Sequence, residues 1–137
     1  MKKISIIYWS GTGNTEKIAE LIEEGAKEAG NEVTLKDVNQ ATKDDIINAD
    51  VVALGCPAQG VEELEPAEFL PFYETIVDDL KGKEVAVFGS YGWGGGQMHD
   101  EWKEDLISHG AIVEKDPLSI LEAPDDEEAI IEFGKEL

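Results

Sequence analysis

Residues 8 to 15, YWSGTGNT, carry glycines and hydroxyl groups between an apolar run and a segment with helical periodicity. The first N–H groups of a helix have no acceptor within the helix, so a turn of this kind is suited to binding an anion. The turn has no lysine or arginine, which excludes the P-loop pattern GxxxxGK[ST]. Glu16 stands where the dinucleotide fingerprint requires its third glycine. What remains is a neutral donor set suited to one terminal phosphate: backbone N–H groups and the side chains of Ser10, Thr12, Asn14 and Thr15.

Two later segments, PAQGVEELE (57–65) and YGWGGGQ (91–97), also carry residues that packing does not require. Taken singly, each has an ordinary explanation: a glycine-rich turn, a packed tryptophan or a solvated acidic run. Together with the phosphate turn they indicate one ligand, which combines a lone phosphate with a flat ring that stacks and forms hydrogen bonds. Flavin mononucleotide (FMN) fits this description.

The rest of the sequence predicts a fold that brings these three loops together. Strands are predicted at 3–8, 32–37, 51–55, 84–90 and 112–120, the last interrupted at Pro117, and helices at 15–29, 43–48, 69–80, 98–108 and 125–136. This alternation predicts one α/β domain over residues 1–137, a doubly wound five-stranded parallel sheet in the order 2-1-3-4-5 with helices on both faces. In that order the first, third and fourth strands are neighbours, so the loops that follow them share one crevice.

The composition limits the partners of the protein. The chain has 31 acidic residues against 11 basic ones, all of them lysine, and a net charge of −20. This charge disfavours nucleic acid and anionic membranes and favours transient contacts with basic protein surfaces. No apolar run reaches the ~20 residues of a membrane span, and no signal peptide is expected. Cys56, the only cysteine, is predicted to be buried, and we expect a monomer in the reducing cytoplasm.

Three segments, YWSGTGNTE, LGCPAQGVEELE and FGSYGWGGG, resemble those of the short-chain flavodoxins in pattern, order and spacing, and the resemblance extends to the C-terminal helix. It implies that the FMN phosphate is held by Ser10, Gly11, Thr12, Gly13, Asn14 and Thr15. It implies that the inner face of the flavin ring is flanked by Pro57, Ala58, Gln59, Gly60, Val61 and Glu62. The outer face would be covered by Trp93, with backbone contacts from Ser90, Tyr91 and Gly92.

The resemblance also implies a function, that of a low-potential carrier which shuttles single electrons between redox enzymes and turns over no substrate of its own. Its FMN would be bound non-covalently and pass through oxidised, semiquinone and hydroquinone forms. A neutral phosphate turn suits a low potential, because a nearby cation would ease the addition of an electron. In the family the peptide between Gly60 and Val61 turns over on one-electron reduction. Gln59 and Val61 depart from the family pattern, and the β-branched Val61 would disfavour a type II turn at this peptide.

A different class of function stays open at this stage, a small FMN-dependent NAD(P)H:quinone reductase of the same fold. Against it, the sequence shows no evident basic site for a nicotinamide phosphate and no acid–base pair. A phosphoacceptor receiver would need acids at the end of the first strand, where Tyr8, Trp9 and Ser10 stand. Neither His99 nor His109 has the spacing of a metal ligand, so no metal site is predicted.

Overall fold

The computed structural model describes residues 2–9, 13–57, 68–91, 97–121 and 126–137. Within these ranges strands and helices alternate along the chain. The strands are β1 (Lys3–Tyr8), β2 (Glu32–Asp37), β3 (Val51–Gly55), β4 (Glu84–Tyr91) and β5 (Leu118–Leu121). The α-helices are α1 (Asn14–Glu28), α2 (Lys43–Ile47), α3 (Phe69–Ile76), α4 (Gln97–Ser108) and α5 (Glu127–Lys135), and a 3₁₀ helix over Val77–Leu80 follows α3.

The strands form one parallel sheet in the order β2-β1-β3-β4-β5, which confirms the predicted order and fold class. Tyr8 at the end of β1 pairs with Gly55 of β3, and Gly55 pairs with Phe88 near the end of β4. The carboxyl ends of these three strands therefore lie side by side, at the point where the strand order reverses. The three loops predicted to bind the cofactor follow these strand ends in the sequence.

Alternate residues of the buried strands point to opposite sides, so both faces of the sheet carry apolar side chains. Helices cover both of these faces. One hydrophobic core lies between the sheet and helices α2, α3 and α4, and includes Leu54, Val87, Phe69 and Leu106. The other lies between the sheet and helices α1 and α5, and includes Ile6, Ala53, Ile22 and Ile130. Among the described residues, no helix has both the length and the apolar character needed to cross a membrane.

The fifth strand differs from its predicted range, 112–120. Ile112 forms only an isolated bridge with Glu84, and the continuous strand begins at Leu118. Pro117 stands immediately before that strand. Because proline has no N–H to donate to the ladder, pairing with β4 resumes only after it.

The predictions for the third and fourth helices hold with one change. The third helix is α-helical only to Ile76, and its last predicted turn is 3₁₀. Pro71 lies in the first turn of α3, as predicted, where its missing N–H removes no intrahelical bond. In α4, Trp102 and Leu106 are buried, as expected for two apolar residues spaced by four on one face of a helix.

Two buried glycines allow α1 and α5 to approach through their backbones. A Cβ atom at Gly25 would overlap the carbonyl oxygen of Ile131, and one at Gly134 would overlap the carbonyl oxygen of Ile22. The contact is reciprocal, since each glycine faces the other helix. It holds together the two helices that cover one face of the sheet.

Candidate cofactor site

The structure describes part of each of the three loops predicted to bind the cofactor. Gly13, Asn14, Thr15, Pro57, Ser90 and Tyr91 lie at the carboxyl edge of the sheet, where β3 and β4 end and α1 begins. The other predicted residues lie outside the described ranges: Ser10, Gly11, Thr12, Ala58, Gln59, Gly60, Val61, Glu62, Gly92 and Trp93.

Gly13 begins the first turn of α1. Its φ of 96° lies in the left-handed region that favours glycine. The first intrahelical bond runs from the Lys17 N–H to the Gly13 carbonyl, at 3.0 Å. The N–H groups of Asn14, Thr15 and Glu16 precede that bond and have no acceptor within the helix. Together with the dipole of a 15-residue helix, they place a partial positive charge at the start of α1 without a basic residue in the turn.

Thr15 joins the start of α1 to the end of β4. Its side chain is only 1% exposed, and its Oγ1 lies 3.1 Å from the Oγ of Ser90. The Ser90 N–H also donates to this Oγ1, at the longer distance of 3.4 Å. The Thr15 hydroxyl also has one proton, which it can donate either to Ser90 or to a bound anion. The predicted phosphate donor is therefore also a link between the first and third loops.

Where the chain leaves β3, the Cys56 carbonyl lies close to Gly89 of β4. The Cys56 N–H still donates to the Phe88 carbonyl, at 3.2 Å, as it would within the sheet. A Cβ atom at Gly89 would overlap the Cys56 carbonyl oxygen, so glycine is needed for that carbonyl to lie this close to the backbone of β4. Cys56 is completely buried, which confirms its predicted place in the core. Pro57 follows and begins the second loop.

A histidine that was not predicted as a site residue holds the Cys56 carbonyl. His99, in the first turn of α4, is fully buried. Its Nε2 lies 2.8 Å from the Cys56 carbonyl oxygen, and its Nδ1 lies 2.7 Å from the Oγ of Ser119 in β5. A carbonyl oxygen only accepts, so Nε2 carries the proton, and in the neutral ring Nδ1 accepts from the Ser119 hydroxyl. Burial lowers the pKa of His99 and keeps the ring neutral, although the Cys56 carbonyl and Asp100 act in the opposite direction.

Sequence reasoning considered His99 only as a metal ligand. A signal for its burial was present, because Trp102 and Leu106 follow it by three and seven residues and so share its face of α4. The partners of the ring lie on distant strands and left no local pattern. Among the described residues, no group of three or more His, Cys, Asp or Glu side chains is arranged to hold a metal ion.

Negative charge surrounds the end of β1. Burial, and then the carboxylates of Glu16, Asp37 and Glu20, raise the pKa of Tyr8 above its ordinary value. Lys17, the nearest base to the phosphate turn in the sequence, has its Nζ 3.9 Å from a carboxylate of α5. Three carboxylates therefore act on the end of β1, and the base nearest to the turn in the sequence lies beside a further carboxylate.

The donor chemistry of this edge fits the phosphate of FMN. The N-terminal amides of α1 and the buried Thr15 hydroxyl are neutral donors, a set of groups suited to a phosphate held by hydrogen bonds and the helix dipole. The crevice at a reversal of strand order is also where ligands bind in open parallel sheets.

Known proteins resemble this chain over nearly its whole length. The family model described as Flavodoxin matches residues 6–134. The flavodoxin of Clostridium beijerinckii is 46% identical over 135 residues, which cover 98% of this chain and 98% of that protein. The flavodoxin of Megasphaera elsdenii is 43% identical over 132 residues, 96% of each chain. The solution structure of two-electron reduced Megasphaera elsdenii flavodoxin superposes with a TM-score of 0.87 at 44% identity and covers 96% of both chains.

Proposed function

The chain belongs to the flavodoxin family and is an FMN-binding electron carrier, and we propose that it holds FMN in the crevice above β1, β3 and β4. FMN, when bound, supplies the one-electron chemistry of its flavin ring. The observation that carries the proposal is the buried contact between Thr15 and Ser90, which joins the first and third loops at the N-terminus of α1. The quinone reductase alternative is not favoured, since members of the family are electron-transfer proteins.

Each loop has a separate part in this proposal. Residues 10–15 hold the phosphate, with the amides of the first turn of α1 as donors. Residues 57–62 flank the inner face of the flavin ring, and the loop starts directly after Cys56, whose carbonyl lies close to Gly89. Residues 90–93 flank the outer face, where Trp93 stacks on the ring. The support for this division is the position of Thr15, Pro57 and Tyr91 at one edge of the sheet.

Thr15 offers a direct test of the phosphate position. Thr15→Val keeps the shape of the side chain but removes the hydroxyl, and we expect it to weaken FMN binding by about 1 to 2 kcal/mol, or about 5- to 30-fold. Thr15→Ser keeps the hydroxyl and is expected to bind FMN nearly as well as the wild type. Fluorescence titration of the apoprotein with FMN measures both dissociation constants.

Thr34→Val, on the edge strand β2, serves as the control for the loss of a threonine hydroxyl away from the site. It is expected to leave the dissociation constant unchanged. Wild-type affinity in Thr15→Val would place the phosphate elsewhere on the protein. A wild-type protein that takes up no FMN would refute the proposed site as a whole.

The charge around the site favours a low reduction potential. Three acids raise the pKa of Tyr8, and they also oppose an added electron at this edge of the sheet: Glu16, Asp37 and Glu20. A like charge at ~4 Å and an effective dielectric constant near 20 contributes up to ~4 kcal/mol, and more distant, exposed acids contribute far less each. Since the phosphate turn has no base to offset them, their effects add. We therefore propose that the carrier works at low potential.

Redox proteins are the partners of this carrier. Because the chain has a net charge of −20, we propose that these partners present basic patches to its acidic surface. Electron transfer to a basic acceptor protein is expected to slow about tenfold when the salt rises from about 10 mM to about 150 mM, because the Debye length falls from about 30 Å to about 8 Å. Transfer to an acidic acceptor is expected to become faster over the same range. Stopped-flow measurement of both rates tests the proposal, and equal salt dependence for the two acceptors would contradict it.

We also propose that residues 1–137 form one domain, which acts as a monomer in the cytoplasm. The large net charge of one sign opposes self-association. The only cysteine is buried in the core, as a thiol that forms no internal disulfide, and this agrees with a reducing compartment.

A further inference from the structure

We propose that His99 is a positioning residue of the flavin site, which fixes the path of the second loop by holding the Cys56 carbonyl against β5. The inference rests on the proposed function, because it concerns the loops at 57–62 and 90–93 that we assign to FMN. His99 itself is buried in the first turn of α4, where its ring reaches the end of β3 and β5.

The ladder of backbone hydrogen bonds between β3 and β4 ends at Cys56, whose carbonyl is bound by His99. Its last bond runs from the Cys56 N–H to the Phe88 carbonyl, and a regular parallel ladder would next join the Ser90 N–H to the Cys56 carbonyl. Side chains from two helices bind these two groups: Thr15 Oγ1 accepts from the Ser90 N–H, and His99 Nε2 donates to the Cys56 carbonyl. At this rung the two backbone groups therefore bind side chains, and His99 holds the carbonyl that immediately precedes Pro57.

The imidazole ring spans three strands at this level. Ser119 of β5 is the register partner of Gly89 in β4, and a Cβ atom at Gly89 would meet both the Cys56 carbonyl oxygen and His99 Nε2. The ring therefore lies across Gly89. Its Nε2 contacts the Cys56 carbonyl oxygen just after β3, and its Nδ1 contacts the Ser119 hydroxyl of β5. Because both nitrogens are engaged, the ring cannot turn without breaking a hydrogen bond.

The position of His99 in the chain couples two flavin loops. Cys56 immediately precedes Pro57, where the second loop begins, and His99 is the third residue of α4, the helix that follows the third loop. A shift of α4 therefore moves the start of the second loop, and a shift of that loop moves α4. This coupling is the reason to expect an effect on FMN binding beyond an effect on stability.

Two substitutions separate positioning from packing. His99→Gln keeps one donor and one acceptor, so it can bridge the Cys56 carbonyl and the Ser119 hydroxyl, whereas His99→Leu keeps volume but has neither group. We expect His99→Leu to bind FMN about tenfold more weakly than the wild type and His99→Gln to remain within about threefold. Dissociation constants are measured by fluorescence titration of apoproteins whose folded state has been checked by circular dichroism. A folded His99→Leu variant with wild-type affinity would overturn the inference.

Ser119→Ala provides a second test, in case His99→Leu does not fold. It removes the partner of Nδ1 while His99 stays in place, and we expect FMN binding about threefold weaker than in the wild type. Unchanged affinity in Ser119→Ala, together with a His99→Leu variant that does not fold, would reduce His99 to a packing residue and overturn the inference.

The tautomer of His99 is a readout that does not depend on FMN. Nitrogen-15 NMR of the apoprotein at neutral pH is expected to show the proton of His99 on Nε2, as the bond to the Cys56 carbonyl requires. A proton on Nδ1 would overturn the inference even in a protein that binds FMN well. A wild-type protein with the expected tautomer but without FMN affinity would instead refute the proposed function and, with it, a role of His99 in that site.

Discussion

Gly25→Ala is expected to lower the free energy of unfolding by about 2 kcal/mol, although alanine is ordinarily the better helix former by about 1 kcal/mol. The cause is the contact between α1 and α5. The Cβ atom would overlap the carbonyl oxygen of Ile131, which belongs to the backbone and cannot rotate away. The two helices would have to move apart, and the core that contains Ile22 and Ile130 would loosen. Urea unfolding of the apoprotein, followed by circular dichroism, measures the change.

The opposite helix supplies a matched test. Gly134→Ala would overlap the carbonyl oxygen of Ile22 and is expected to destabilise the protein to a similar extent. Glu24→Ala changes an exposed residue of α1 and is expected to alter stability by less than about 0.5 kcal/mol. If Gly25→Ala proved more stable than the wild type, the backbones of α1 and α5 would not be in contact. The helix propensity of alanine would then be the only effect of the substitution on stability.

Local patterns were enough to predict most of the fold. The runs at 51–55 and 84–90 are apolar almost throughout, and the structure buries them in β3 and β4 at the centre of the sheet. The run at 32–37 alternates in polarity, and it forms β2 at the edge, where its side chains are half exposed. The contact of Gly25 with α5 could not be predicted in this way. A glycine within a helical pattern only indicates a weaker helix, and the residue that faces it lies in a distant part of the chain.

The same distinction applies to the site. A glycine- and hydroxyl-rich turn before a helix predicts an anion site, because the donors and the helix end belong to one continuous segment. The second bond of Thr15, to Ser90, joins residues 75 positions apart, and the bond of His99 to Cys56 joins residues 43 positions apart. Such pairs depend on how the strands are stacked in the sheet. A single sequence therefore predicts which groups are available but not which of them meet.

Gly89→Ala is expected to weaken FMN binding more than any other change discussed above, by about 30-fold or more, and to cost about 3 kcal/mol of stability. Its Cβ atom would overlap the Cys56 carbonyl oxygen and meet His99 Nε2, so the Cys56 carbonyl could no longer keep its present position beside β4. The second loop would start from a displaced position, while Ser90, the next residue of β4, would move relative to Thr15. Both sides of the crevice are thus affected by one methyl group.

Gly25→Ala is the matched control for this variant, because it is also a glycine-to-alanine change that forces an overlap with a backbone oxygen. Gly25 lies 11 residues along α1 from Asn14, about 16 Å from the start of the helix. We therefore expect Gly25→Ala to lose stability but to keep the FMN affinity of the wild type, and Gly89→Ala to lose both. Urea unfolding with and without saturating FMN separates the two effects, since a bound ligand adds stability in proportion to the logarithm of its affinity. Equal gains in stability from FMN in the two variants would mean that the close contact at Gly89 supports the fold alone and does not shape the flavin site.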